Sequence, residues 1–294
     1  TFVSNKIPHI DFNFNVELDK VFYDKLKFEN VSSNIFTKSN AIFIKDLRLN
    51  YLKSMMKLDG IYSYNKKNLS GDLAIYDFFY ESPKLESGKV YLTDAYFDCD
   101  INFMFKNLAN IQNIFSNTDA KGECINQKSK LVGVDISDLV KRADNIETFQ
   151  DFFSLFNKNK IKGSTNIDSI SLNFRLNKGI FILDTLQAEQ KSMRVKSKGN
   201  YSLHNEIFKL DNSVNIRTKK FKNLPNFNVV LSGKPNDFKI SYDFDKIKDA
   251  ILSDGINSIL KKKKKLTLDP NSLQKIIKES KEIEPEDIFN LFLN

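Results

Sequence analysis

Few side chains in this sequence are suited to chemistry. There are two histidines, His9 beside Pro8 and His204 within Leu203-His204-Asn205-Glu206, and both stand in turn-like surroundings that ask for no catalytic role. No Gly-x-Ser-x-Gly, His-Glu-x-x-His, P-loop or Gly-x-Gly-x-x-Gly segment occurs. The nucleophile elbow, the zinc-protease helix and the phosphate-cradling loops are therefore missing at the level of motif. The two cysteines, Cys99 and Cys124, form no Cys-x-x-Cys pair, so there is no zinc or redox signature. Cys99 shares the apolar side of an alternating segment with Phe97, Ile101, Phe103 and Phe105, and reads as a small core residue. A bond from it to Cys124 would require an oxidising compartment, which the sequence leaves open. Asp98 and Asp100 flank Cys99 on the polar side, as simple alternation dictates. The expectation is a protein without catalysis, metal or cofactor.

What the sequence does contain in quantity is alternation. In MRVKSKGNYSL (193–203), Met193, Val195, Ser197, Gly199, Tyr201 and Leu203 alternate with Arg194, Lys196, Lys198, Asn200 and Ser202. Period two gives a strand one charged face and one apolar or small face. The same pattern fills most of the 294 residues, and something must cover so many apolar faces. Hydrophobic residues make up 41% and charged residues 28%, with 26 Phe, 10 Tyr and no Trp. That composition excludes a disordered chain and favours strands over helices. The net charge of +8 reads as lysines solvated on outward strand faces, since no nucleic-acid module with interleaved basic and aromatic residues is visible. No apolar run reaches the roughly 18 residues of a membrane-spanning helix, and no signal peptide is visible. The chain opens at Thr1, close to a strand, and is expected to be part of a longer protein.

IDFNFNVEL (10–18) is the clearest strand, with Ile10, Phe12, Phe14, Val16 and Leu18 on one face. Further strands are expected over 25–31, 41–51, 54–64, 69–79, 88–97 and 98–106, then over 168–176, 179–188, 192–203, 206–217, 226–233 and 237–244. Turns are marked by Asp59-Gly60, Ser87-Gly88, Lys178-Gly179, Asn205 and Gly233-Lys234-Pro235-Asn236. Such spacing describes an antiparallel meander. Helices interrupt it near 135–157, where Phe149, Phe152, Phe153 and Phe156 form a packing stripe, and near 245–280, with another start at Glu284-Pro285. A dozen one-sided strands can cover one another as a sandwich, close into a membrane barrel, or form a long curved sheet that holds something other than protein. The interrupting helices fit a barrel poorly. Periodicity leaves sandwich and groove undecided.

One region resembles a known family. KGSTNIDSISLNFRLNKGIFILDTLQAEQKSMRVKSKGNYSLHNEIFKLDNSVNIR (162–217) is similar to the C-terminal region of AsmA-like proteins. The likeness lies in Gly163-Ser164-Thr165 leading into a strand, in the turn Asn177-Lys178-Gly179, and in the segment Val195–Leu203. LVGVDISDLVKRAD (131–144) looks like the family's helix start, and LPNFNVVLSGKPNDFKISYDFDKI (224–247) like its closing strand pair. The likeness is strong over about 130–250 and softer over 8–130. The family's N-terminal membrane anchor has no counterpart here, and Lys261–Lys265 with the helices after it extend past the usual closing region. The resemblance implies meander repeats over 1–130 and the AsmA-like C-terminal β region over 131–250, and the residues beyond read as a helical tail over 251–294.

The resemblance further implies a mainly β protein with a long, twisted, open antiparallel groove. It implies a place in the periplasm of a Gram-negative envelope, tethered to the inner membrane. There the protein would carry phospholipid acyl chains toward the outer membrane and bind no nucleic acid. An assembly scaffold for outer-membrane proteins or lipopolysaccharide, with its own side chains filling the groove, is the alternative. A closed sandwich is the third. A chain of about 14 methylenes leaving water gains on the order of 11 kcal/mol, enough to make an apolar track a good host. Parity selects Phe12, Phe14, Val16, Phe174, Leu176, Ile182, Val195 and Tyr201 as lining candidates. Lys261–Lys265 is expected either to be solvated after a helix end or to meet anionic head groups.

Overall fold

Alternation becomes strand almost everywhere it occurs. The computed structural model describes residues 11–80, 91–107, 115–133, 135–145, 163–217, 226–235 and 237–243. In chain order the strands are β1 (Asn13–Tyr23), β2 (Leu26–Lys38), β3 (Ala41–Tyr51), β4 (Ser54–Ser63), β5 (Asn68–Tyr80), β6 (Tyr91–Thr93), β7 (Ala95–Phe105), β8 (Thr118–Asn126) and β9 (Ser129–Val132). Helix α1 (Ile136–Asp144) follows, then β10 (Ser164–Ile167), β11 (Ser169–Asn177), β12 (Ile180–Gln190), β13 (Met193–Ser202), β14 (Ile207–Ile216), β15 (Phe227–Lys234) and β16 (Asp237–Asp243).

Thirteen strands form one sheet in the order β1-β2-β3-β4-β5-β7-β8-β11-β12-β13-β14-β15-β16, every pair antiparallel. The sheet does not close, and β1 and β16 are its edges. The antiparallel meander is the one the strand spacing predicts, and the sheet is open, as the resemblance implies. Pairing of β8 with β11 carries the sheet across residue 130 without interruption. The remaining three strands pair as β10-β9-β6 in a small second sheet.

The twist has identifiable causes. Within β3 and β5 the backbone turns left-handed at Asp46 (φ 50°) and Asp77 (φ 55°), where the pairing register slips. Short acidic or amide side chains tolerate that conformation, and a bulge bends its strand and sharpens the local twist. Each bulge is held the same way. The Asp46 N–H donates to the Asp59 carboxylate at 3.1 Å, and the Asp77 N–H donates to the Asp98 carboxylate at 3.0 Å. A third register slip separates Leu183 from Leu186 in β12. Glycine lets neighbouring backbones close up on one face: a Cβ on Gly71 would stand 2.2 Å from the Asp59 carbonyl oxygen.

The small sheet and α1 cover one part of the large sheet's apolar face. Ala95, Phe97, Cys99, Cys124, Ile136, Ile167 and Ile170 form the buried cluster between them. Asp135 caps α1 by accepting the Asp138 N–H, and Thr165 Oγ1 accepts the Ile136 N–H at 2.8 Å, fixing the helix to β10. Cys99 and Cys124 face each other across β7 and β8 inside this cluster and are disulfide-bonded.

Several expectations change. The predicted boundary at 97/98 lies instead at Asp94, where a left-handed residue (φ 54°) passes the chain from the small sheet to the large one. Strands β8, β9 and β10 were not expected. The inward side of β8 is Thr118, Ala120, Gly122, Cys124 and Asn126, too small and mixed to show as an apolar period. The helix predicted near 135–157 is found as α1; its continuation with the Phe149–Phe156 stripe lies outside the described residues. So do the helices near 245–280, the tail over 251–294 and Lys261–Lys265.

Candidate functional site

Cross-strand partners share a face, so the register gives the lining of each face directly. One row runs across all thirteen strands: Phe14, Ile35, Ile44, Gly60, Gly71, Phe103, Ala120, Leu176, Phe181, Tyr201, Phe208, Gly233 and Phe238. It holds no charged side chain. At the spacing of antiparallel strands its length is roughly 55–60 Å. A parallel row runs from Leu47 in β3 through Leu58, Leu73, Ile101, Gly122, Phe174, Leu183, Gly199 and Leu210 to Leu231 in β15.

A third row starts apolar at Leu49, Met56 and Ile75, crosses the disulfide and continues to Leu172 and Leu186. It then meets Ser197 and Asn212, where Ser197 Oγ donates to Asn212 Oδ1 at 2.6 Å and Asn212 Nδ2 donates to the Val229 carbonyl at 2.9 Å. That satisfied polar pair narrows the apolar band over β13 and β14 to its first two rows.

Seven of the eight expected lining residues lie on this face. Phe14, Leu176 and Tyr201 belong to the first row, and Phe174 belongs to the second. Val16 pairs with Ser33 beside Phe14, and Val195 pairs with Ala188 and Val214. Phe12 donates its N–H to Thr37 Oγ1 and stacks on Phe14 with ring centroids 4.7 Å apart.

Ile182 is a correction. It pairs with Arg175 and Asn200 and therefore lies on the polar face. The cause is the register slip in β12. Counting back from Leu186 and Ala188 makes Ile182 inward, but the extra residue at Asp184-Thr185 reverses parity, so Phe181 and Leu183 point inward instead. The run Ile180-Phe181-Ile182-Leu183 is apolar at both parities, so alternation could not reveal the slip. Phe181, Phe208 and Phe103 were missed as members of the first row; Phe103 carried a readable signal, its place in the alternation of β7.

The opposite face is charged. Its row across the centre reads Lys57, Ala74, Asp100, Glu123 and Asn173, and the next includes Asp72, Asn102, Lys121 and Arg175. A concavity of about 700 Å³ lies on this face over β4 to β12. Arg175 grips Asp184 through Nε at 2.8 Å and a second nitrogen at 2.5 Å. The hydrogen bond from Arg175 is the main reason the Asp184 carboxyl titrates below the usual carboxylate range. Asp46 is lowered likewise, chiefly by its hydrogen bond from Arg48. Such shifts add stability above the ordinary carboxylate range that is lost on acidification, but these pairs are exposed and their share is small.

His204 Nε2 lies 3.3 Å from Ser116 Oγ at an exposed hairpin tip. His9 lies outside the described residues. Asp98 is occupied in accepting the Asp77 N–H. Among the described residues, no group of three or more His, Cys, Asp or Glu side chains is placed to hold a metal, and no helix is long and apolar enough to cross a membrane. No family model, no curated protein and no solved structure matches the chain.

Proposed function

We propose that the sheet carries phospholipid, with acyl chains lying along the apolar rows and head groups left in water, as part of an envelope protein that moves lipid across the periplasm. One observation supports this above the rest: the uncharged row from Phe14 to Phe238 spans every strand of an open sheet and reaches both edges. A filled sandwich would need a second layer of comparable extent. Among the described residues the second layer is α1 and three short strands of 3, 4 and 4 residues, which pack near β7, β8 and β11. Lipid needs no chemistry to move along such a row. A chain shifting by one strand spacing exchanges one apolar neighbour for another, so no step exposes its whole length to water. The Cys99–Cys124 disulfide supports an oxidising compartment. On this reading the protein is not an enzyme and uses no cofactor.

Site-specific photo-crosslinking checks the assignment of faces. A photoreactive residue at Phe14, Leu176 or Tyr201 should capture phospholipid in cells, and one at Ile182, on the other side of the same sheet, should not. Equal capture from both faces would reduce the signal to surface adsorption and contradict the reading.

A further inference from the structure

The three most exposed large apolar side chains among the described residues are Leu52 (80%), Tyr23 (73%) and Phe22 (70%). All three sit at one corner of the large sheet. The loop Asp24-Lys25 joins β1 to β2 between the pair Tyr23 and Leu26, and the loop Leu52-Lys53 joins β3 to β4 between the pair Tyr51 and Ser54. These hairpins turn on the same rim two strand spacings apart, roughly 10 Å.

Each loop opens on a left-handed residue, Asp24 at φ 51° and Leu52 at φ 55°. Aspartate accepts that backbone readily. A bulky leucine does not, and asparagine or glycine is the ordinary choice in a two-residue hairpin loop. Leu52 thus strains the backbone and faces water, and neither helps the fold. Each apolar tip also carries a lysine, and Lys25 and Lys53 take part in none of the ion pairs among the described residues.

We propose that this corner docks on an anionic phospholipid bilayer, with Leu52 and Phe22 entering the acyl boundary, Tyr23 at head-group level, and Lys25 and Lys53 at the phosphates. The side-chain chemistry selects this occupant. Aromatic and aliphatic groups beside lysines whose ammonium can reach up to phosphate are what a bilayer interface accepts. The proposal goes beyond lipid carriage and stands without it, because docking needs no chain on the apolar row.

The test is co-sedimentation of the full chain with vesicles of phosphatidylcholine, alone or mixed with phosphatidylglycerol. The parent should bind the mixed vesicles in a salt-sensitive way. Leu52→Asn should weaken that binding roughly tenfold, as expected for withdrawing one apolar side chain from the interface. Its thermal midpoint should be unchanged or raised, because asparagine suits the left-handed loop. Replacing Lys25 and Lys53 by glutamine should remove most of the preference for the anionic lipid. Phospholipid extracted from purified Leu52→Asn protein should match the parent, so failure of docking and failure of carriage are told apart. Three results would overturn the proposal: no binding of the parent to mixed vesicles, unchanged binding by Leu52→Asn, or a dimer of the parent that Leu52→Asn abolishes.

Discussion

Phe14→Asp and Leu176→Asp should each exclude acyl chains from their own stretch of the row while leaving the sheet intact. Phe14 is 55% exposed on edge strand β1, so removing its ring opens no cavity. Leu176 lies near the middle of the row between Ala120 and Phe181. A carboxylate among acyl chains costs several kcal/mol if it stays ionised, and each 1.4 kcal/mol is a factor of about ten in occupancy. Phospholipid captured by a photoreactive residue beside the charge on the same strand face, at Val16 or Phe174 respectively, should therefore fall at least roughly tenfold. Ile182→Asp is the matched control: it places the same charge one residue from the Phe181 row position but on the polar face, beside Arg175, and should bind as the parent does. Quantifying captured phospholipid against protein, with circular dichroism to confirm strand content, decides the matter. Loss in all three variants would point to general destabilisation.

The second large effect concerns the disulfide. Cys99 and Cys124 are 25 residues apart in sequence, and closing a loop of that size is worth about 3 kcal/mol by restricting the unfolded chain. The bond also lies within the cluster that holds the small sheet and α1 against the large one. A double Cys99→Ala, Cys124→Ala variant should lose about that much stability, read as a lower urea midpoint. Reductant should lower the parent's midpoint toward the variant's and leave the variant's unchanged. A reductant-insensitive parent would show that the bond does not form in solution.

The strands were legible because their two faces differ in kind. In β7, Phe97, Cys99, Ile101 and Phe103 alternate with Asp98, Asp100 and Asn102, and a one-residue error there would bury three polar groups. The face was equally plain in β13. It failed in β12, where four consecutive apolar residues precede a bulge that only the pairing exposes. It failed in β8 because an inward file of threonine, alanine, glycine, cysteine and asparagine gives almost no hydrophobic period. That same file helps the row: Ala120 and Gly122 stand opposite Phe103 and Ile101, and small residues facing large ones keep the apolar surface level.

Continuity of the row could not be read from any single strand. It depends on which residue of each strand falls opposite which, and left-handed Asp46 and Asp77 shift that count by one within β3 and β5. Aspartate in a strand pattern reads as polar-face alternation, not as a change of register. The exposed corner at Leu52 was legible in part. The expected strands over 41–51 and 54–64 already leave Leu52 and Lys53 as the turn between them, but the left-handed backbone of Leu52 and its exposure come only from the structure.

The central claim is that the apolar rows hold lipid, and native mass spectrometry of the purified protein tests it most directly. Gentle ionisation should give the protein with discrete added masses matching phospholipids, and extraction of the same sample should return those species. Leu176→Asp, with its charge near the middle of the row, should carry fewer adducts than the parent, and Ile182→Asp should carry the parent's adducts. A parent protein found only as the bare chain, with no phospholipid in its extract, would contradict the account.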